Sequence, residues 1–361
     1  MSASDPVADF LELLRPGVPP DQVGQGQGAL AAALDGADPT VLNAGIARLA
    51  EAVAQSERGI VARGVAAITA GAFVEQGGAT RALGEALIAH LPDVLGPAAR
   101  FVKACLKVLP KDYEPGEETQ MLSVGDEMVP LELVRQVGEG DFEGGVAWQA
   151  LDYWALPAIA CLTRDRGLRD LARGAPELRK LAFEAVGYRG FLTTALDLLD
   201  DEVLLVLHPG TQQGFEVRIS GVASNFDLQV LLADALVKDE KSGPDAGIVG
   251  RRPTAAVVSA TRGEATEPAP CEGHWNLYDG RALAGGSLPD PVPSELWIWN
   301  EGRPCDIPEV EGRRVVVLAA PSYARTWTAQ PIFHGLSPEV SVERILSEAE
   351  VRGWLGRLTR N

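Results

Sequence analysis

The sequence predicts an α+β fold in which an all-α half, residues 1–201, precedes a smaller mixed α/β domain, residues 202–361. Apolar residues recur at helical spacing through the first half. The hydrophobic pattern changes at about residue 202, where a short apolar run and an alternating run indicate a β-hairpin. With 361 residues, 46% of them hydrophobic and 23% charged, the chain is long enough to bury a core in each of two domains.

The helical half contains amphipathic patterns joined by short connectors. Asp38 and Pro39 predict a helix start, because Asp caps a helix N-terminus and Pro fits its first turn. Apolar residues then share one helical face up to Val53, and two later patterns end at Pro92 and Pro110. No fixed repeat period is visible. We expect either antiparallel helix hairpins or a degenerate helical solenoid.

Negative charge is concentrated in residues 112–143, which hold ten acidic residues against Arg135 alone. Residues 111–127 mix Pro, Gly and acids without an apolar period, which predicts a loop. Solvated charge is the simpler interpretation of this segment. The functional alternative is an acidic docking surface that accelerates encounter with a basic partner. Apolar residues at helical spacing recur at 146–163 and again at 176–200, which predicts further helices.

The mixed domain opens with a predicted hairpin, residues 203–208 and 215–219, and Ser224 then begins a capping box for a helix to about Val237. Residues 238–270 predict a flexible insertion with a strand only at 255–259. Beyond it, Leu296 to Trp299 alternates as a strand with both tryptophans on one face, and residues 315–318 predict a buried strand. Helix starts are expected at Ser337 and Ser347.

Charge and cysteine content exclude several classes of partner. The net charge of −18 and pI of about 4.7 repel phosphate backbones and anionic headgroups, so we expect neither a nucleic-acid nor a membrane partner. Four widely spaced cysteines argue against a disulfide framework. The first residues lack a basic region followed by an apolar run. Together with an Arg bias typical of GC-rich coding sequence, this predicts a bacterial-type cytoplasm.

The sequence contains no complete motif for catalysis, metal binding or cofactor binding. Gly24 to Gly28 resembles a phosphate loop in composition, but no strand precedes it, and a flexible connector is the better interpretation. Cys271 and His274 have the spacing of a metal-ligand pair, yet no second pair exists to complete a zinc site. Gly-x-Ser-x-Gly, Ser-x-x-Lys and His-Glu-x-x-His are all missing. We therefore predict no metal and no cofactor.

The densest signal is aromatic, since five of the seven tryptophans lie in the last 87 residues. Such rings serve recognition when Asn, Asp and Arg supply orientation, but they also fill the core of a small domain with irregular loops. Trp354 is expected in the core on its helical period, and Trp275 and Trp327 at the surface. The candidate partner-binding residues are Trp275, Tyr278, Arg281, Tyr323, Arg325 and Trp327.

Two functional hypotheses follow. The first is a non-enzymatic recognition or adaptor protein that binds a protein or peptide through this Trp/Tyr/Arg surface. The alternative is an enzyme of unrecognised family, with a cleft between the two halves lined by His208, His274, Asp279, Tyr323 and Arg325. For the last two residues the bland interpretation is that Arg325 pairs with a carboxylate and Tyr323 is a half-buried packing residue.

Overall fold

A computed structural model describes residues 5–116, 119–188, 190–238 and 247–358. The chain divides into two compact units, Met1–Asp197 and Leu198–Asn361. The first is mainly helical and the second combines a mixed sheet with helices, so the α+β fold class is confirmed. Within the described residues, no helix combines the length and the apolar character that crossing a membrane requires.

Unit 1 contains eleven α-helices in its described residues, of which α5 (Arg81–Val108) is the longest. The helices are α1 (Pro6–Leu13), α2 (Pro20–Leu34), α3 (Pro39–Ala54), α4 (Ile60–Glu75), α5 (Arg81–Val108), α6 (Leu131–Gly140), α7 (Phe142–Gln149), α8 (Leu151–Arg164), α9 (Arg166–Arg173), α10 (Pro176–Val186) and α11 (Phe191–Leu196). The predicted start of α3 is confirmed, because the Asp38 side chain accepts from the Thr40 N–H.

Helix α5 corrects the prediction of a helix end at Pro92. Pro92 and Pro97 both lie inside one continuous helix. Each proline removes one backbone hydrogen bond, but the apolar face on both sides of them, from Leu87 to Val102, stays buried. Tertiary packing along this face therefore outweighs the local preference for a break.

Helices α4 and α8 approach closely because α4 has glycines where the two meet. A Cβ on Gly64 would lie 2.8 Å from Nε1 of Trp154, and one on Gly71 would lie 2.6 Å from Cβ of Pro157. Trp154 is fully buried, and its indole N–H donates to the Ile60 carbonyl at 3.0 Å. The fit of this ring against α4 defines the centre of the unit 1 core.

The acidic segment contains a hairpin, so the prediction of a loop over 111–127 is wrong for the last part of that range. Strands β1 (Met121–Val124) and β2 (Glu127–Pro130) pair antiparallel around a turn with Gly125 at φ 61°. Val124 and Val129 are buried against Phe101 of α5. The surrounding charge hid this short apolar pattern. Residues 117 and 118 lie outside the described part of the chain.

Unit 2 contains a sheet with strand order β12-β4-β3-β10-β8, and β9 pairs with the start of β10. Only β3 and β10 run parallel; the other pairs of this sheet are antiparallel. The predicted hairpin is confirmed as β3 and β4, and the predicted buried strand as β10. The strands are β3 (Glu202–His208), β4 (Gln213–Ser220), β8 (Asn276–Asp279), β9 (Glu309–Val310), β10 (Arg313–Ala319) and β12 (Glu339–Ile345).

Helices cover both faces of this sheet. On one face, α12 (Asn225–Leu236) and α13 (Ala255–Thr261) bury residues of β3, β4 and β10. On the other, α14 (Glu348–Leu358) packs its apolar side against β3 and β10. Two small strand pairs complete the unit. Strand β7 (Ala269–Glu272) pairs antiparallel with β11 (Thr326–Ala329), and β5 (Val237–Lys238) pairs parallel with β6 (Ile248–Val249).

Three local predictions in unit 2 are wrong. The strand expected at 255–259 is α13, capped by the Thr254 side chain and buried through Val257 and Val258. The helix expected from Ser337 is instead the edge strand β12, which pairs with β4. Trp297 to Trp299 forms no strand beyond a single bridge between Trp297 and Tyr278. Of the predicted flexible insertion, residues 239–246 lie outside the described part of the chain.

Candidate recognition surface

Four aromatic rings and one guanidinium come together beside β8. We call this set the aromatic–arginine surface; its members are Tyr278, Trp297, Trp299, Tyr323 and Arg325. The Tyr278 and Trp297 rings meet edge to face at 5.1 Å, and Trp299 stacks on Trp297 at 5.3 Å with an interplanar angle of 22°. The inner rings are thus fixed by their neighbours.

Arg325 joins the two outer parts of this surface. Its guanidinium carbon lies 5.1 Å from the Trp297 ring centroid and 5.1 Å from the Tyr323 ring centroid, within cation–π range of both. Exposure rises outward from there: Tyr278 is buried, Trp297 is half-buried, Trp299 is 47% exposed and Tyr323 is 54% exposed. The two outermost rings are therefore accessible to solvent.

Arg325 has a neutral hydrogen-bond partner in place of the carboxylate that the sequence suggested. One terminal nitrogen donates to Oδ1 of Asn276 at 2.6 Å, and Asn276 in turn donates to the Tyr278 hydroxyl and the Ser322 hydroxyl, each at 3.1 Å. In the described residues Arg325 forms no ion pair, and its Nε is buried without a hydrogen bond. The guanidinium is therefore partly desolvated while its charge stays uncompensated.

The backbone beneath the tryptophans is fixed by the N-terminus of α12. The Asn225 amide donates to the Trp299 carbonyl at 2.8 Å, and the Phe226 N–H donates to the Asn300 carbonyl at 3.1 Å. Gln229, which is fully buried, donates to the Trp275 carbonyl at 3.0 Å. These bonds make the turn at 299–302 a rigid support for the exposed rings.

A buried carboxylate lies in the same helix turn. Asp227 is 7% exposed, and the Ser224 side chain accepts from its backbone N–H as the helix cap. Burial raises the pKa of Asp227 to about 7, although hydrogen bonds from Ser224 lower it in part. The charge state of this carboxyl therefore changes near neutral pH.

The predicted partner-binding residues lie in three places. Tyr278, Tyr323 and Arg325 belong to the aromatic–arginine surface. Arg281 pairs with Asp279, which also caps the short turn that follows β8. Trp275 and Trp327 line a separate cavity, and Trp275 is only 6% exposed, so its prediction as a surface residue is wrong. Trp354, expected in the core, is half-buried beneath the Arg357 guanidinium.

Trp297 and Trp299 are not among the predicted partner-binding residues. Their alternation was the available signal, and it indicated one shared face without indicating exposure. Exposure depends on the turn held by α12, which is a tertiary feature of residues about 70 positions away in the chain. No local pattern carries that information.

The five side chains of the enzyme hypothesis all lie in unit 2. His208 is bonded to Thr211, its Nδ1 lying 2.8 Å from Oγ1, and burial lowers its pKa. His274 contacts the Arg251 carbonyl at 2.9 Å, and Asp279 is held by Arg281. In the described residues only Tyr323 and Arg325, of these five, form a bond or ring contact with one another.

Metal binding and known relatives add no further assignment. Across the described ranges, no three His, Cys, Asp or Glu side chains are grouped so that they could hold a metal ion. No family model, curated protein or solved structure matches the chain.

Proposed function

We propose that the chain is a non-enzymatic recognition protein of a bacterial-type cytoplasm, whose aromatic–arginine surface binds a peptide segment of a protein partner. The segment presents an apolar side chain to Trp299 and Tyr323 and a carboxylate to Arg325. The observation that carries this proposal is the pair of exposed, pre-ordered rings on either side of a guanidinium that has no acidic partner among the described residues.

Pre-ordering favours binding because the surface loses little freedom when a partner arrives. Trp299 is already stacked on Trp297, and its backbone is already fixed by Asn225. Immobilising a free side chain costs roughly 0.5–1.5 kcal/mol at an interface, so rings ordered in advance avoid much of that cost. Trp, Tyr and Arg are also the residue types on which binding energy concentrates.

Charge restricts the partner. A carboxylate bonded to Arg325 would supply the acidic partner that the guanidinium lacks, at short range and close to apolar rings where screening is weak. The chain as a whole carries a net charge of −18, which repels a strongly acidic partner at longer range. We therefore expect a segment that is neutral or basic overall and carries one well-placed carboxylate.

The test is selection from a random peptide library displayed on phage, with the full chain as target. We expect enrichment of peptides in which Asp, Glu or a C-terminal carboxylate is close to an aromatic residue or proline. For the enriched peptides, Trp299→Ala and Tyr323→Ala should each weaken binding at least about tenfold. Arg325→Gln should remove the preference for the acid over its amide.

Phe142→Ala is the matched control, because Phe142 is an aromatic residue of unit 1 that is 79% exposed and lies outside the surface. It should leave peptide affinity unchanged. The proposal would be overturned by a library that enriches no peptide, or by enriched peptides whose affinity Trp299→Ala and Tyr323→Ala do not reduce.

A further inference from the structure

A cavity of about 600 Å³ lies in unit 2, apart from the aromatic–arginine surface. Its walls are the β5–β6 pair, the segment 250–254 and the β7–β11 pair. None of the five residues of the aromatic–arginine surface lines it. The volume is within the range of roughly 300–1,000 Å³ that small-molecule sites occupy.

Two tryptophans provide the aromatic walls of this cavity. Trp275 is almost fully buried and lies beside the His274 ring at 6.0 Å, whereas Trp327 is half-buried and packs on Phe226 at 5.3 Å. Val237 and Ile248 add apolar surface. Burial raises the pKa of the Cys271 thiol to about 11, so this side chain is a neutral part of the wall. Such a lining favours a flat, apolar ligand.

Two tryptophans that line this cavity have indole N–H groups without a hydrogen-bond acceptor among the described residues. Elsewhere, the indole N–H groups of Trp154 and Trp297 donate to carbonyls at 3.0 and 3.2 Å. In the described residues the N–H groups of Trp275 and Trp327 form no hydrogen bond. Neither indole nitrogen is among the buried polar atoms that lack a partner, so both N–H groups reach solvent and are accessible to an acceptor on a ligand.

A cation completes the set of donors. Arg251 lines the cavity, and in the part of the chain that the structure describes its guanidinium forms no ion pair. Its neighbour Arg252 is held by Asp234. His274 fixes the Arg251 backbone, and because a carbonyl can only accept, Nε2 of His274 carries the proton of this bond. The site thus presents two indole donors and a free guanidinium on apolar walls.

We propose that this cavity binds a planar aromatic small molecule that carries a carboxylate. The ring lies against Trp275 and Trp327, and the carboxylate accepts from Arg251 and from an indole N–H. This site is independent of the peptide surface. Peptide recognition could fail while this ligand still binds, and the reverse also holds.

The experiment measures binding of indole-3-acetate to the full chain by isothermal titration calorimetry and ligand-observed NMR, at concentrations up to about 5 mM. The neutral isostere indole-3-acetamide is measured in parallel. We expect saturable binding of the acid, with affinity at least about tenfold higher than that of the amide. Arg251→Gln should abolish this difference, whereas Arg352→Gln, at an exposed position of α14, should preserve it.

A steric variant tests the position of the site. Val249 lines the cavity on β6 and is 54% exposed, so Val249→Trp fills the entrance without entering the core. The matched control is Val342→Trp, at a position on β12 that is 37% exposed and is not part of the cavity lining. We expect Val249→Trp to weaken acid binding at least about tenfold and Val342→Trp to leave it unchanged.

Three results would overturn the proposal. They are no saturable binding of the acid below about 5 mM, equal affinity for acid and amide, and binding that Val249→Trp leaves intact. The last would show that the probe binds at another place on the chain.

Discussion

Arg63 in unit 1 and Arg325 in unit 2 make the same kind of contact with tryptophan, but only the first is complete. The Arg63 guanidinium lies 5.0 Å from the Trp154 ring centroid, and the side chain is 4% exposed. Its Nε donates to the Val53 carbonyl at 2.7 Å, and a terminal nitrogen donates to the Asp93 carboxylate at 3.0 Å. The charge of the Arg63 guanidinium is thus compensated within unit 1, and two of its nitrogens have acceptors there.

Arg325 has the aromatic contacts but not the carboxylate. It lies over two rings, bonds to a neutral amide and borders solvent through Tyr323. A buried guanidinium is stable only where its charge is compensated, as at Arg63. The same arrangement stabilises a core where Asp93 compensates the charge, whereas at Arg325 it leaves a guanidinium that the proposed peptide would compensate.

The largest effect expected from this comparison is on the tryptophans themselves. Trp154→Ala should destabilise unit 1 by about 4 kcal/mol, because it removes a fully buried indole and leaves a cavity against α4. Trp299→Ala should cost less than about 1 kcal/mol, because nearly half of that ring is already exposed. Hydrogen exchange measured by mass spectrometry on α4 and β8 peptides gives each value separately. Equal losses of stability in the two variants would contradict the distinction between a core tryptophan and a surface tryptophan.

The arginines should differ in the same direction. Arg63→Met should destabilise unit 1 by about 3 kcal/mol, since it breaks a buried, charge-assisted network. Arg325→Met should cost unit 2 only about 1 kcal/mol, because it removes one hydrogen bond and a charge that has no acidic partner. The free energy of unfolding of each variant is measured by urea unfolding, with hydrogen exchange of the α4 and β8 peptides as the probe for each unit. A larger loss for Arg325→Met would mean that its role is structural.

The elements that sequence predicts correctly are those with a local cause. Ser224 caps α12 with its own side chain, and the alternation of β4 matches a strand with one face buried. Pro92 misleads because the stability of α5 comes from packing along its whole length. Residues 339–345 become a strand because β4 offers an edge, and no helix signal at Ser337 reports that edge.

The candidate site divides in the same way. Tyr323 and Arg325 could be selected from sequence because they follow a buried strand, where loops often carry binding residues. The partner of Arg325 could not, since Asn276 lies 49 positions earlier in the chain and reaches it only through the pairing of β8 with β10. The burial of Trp275 likewise depends on Gln229 of α12, which bonds its carbonyl.

The carboxylates of Asp93 and Asp227 differ in the same way as the two arginines do. Asp93 compensates Arg63, whereas the buried Asp227 of unit 2 forms no ion pair in the described residues. Its pKa rises from 3.8 to about 7 on folding. The folded state therefore holds the proton more tightly than the unfolded state does. The stability that this carboxyl contributes is fully present below about pH 4 and is lost as pH rises to about 7.

Asp227→Asn should remove that loss, because the amide stays neutral and still accepts from Ser224. We expect the variant to be more stable than the parent chain at about pH 8, where the Asp227 carboxyl loses its proton, and to differ little at about pH 4. Urea unfolding across this pH range measures both values, with Asp234→Asn as the control for loss of a more exposed α12 carboxylate. Because the backbone N–H groups of Asn225 and Phe226 donate to the carbonyls of Gly302 and Asn300, these two N–H groups should exchange more slowly in the variant at high pH. An unchanged pH profile would mean that Asp227 is ionised in the folded chain, and the contrast with Asp93 would then fail.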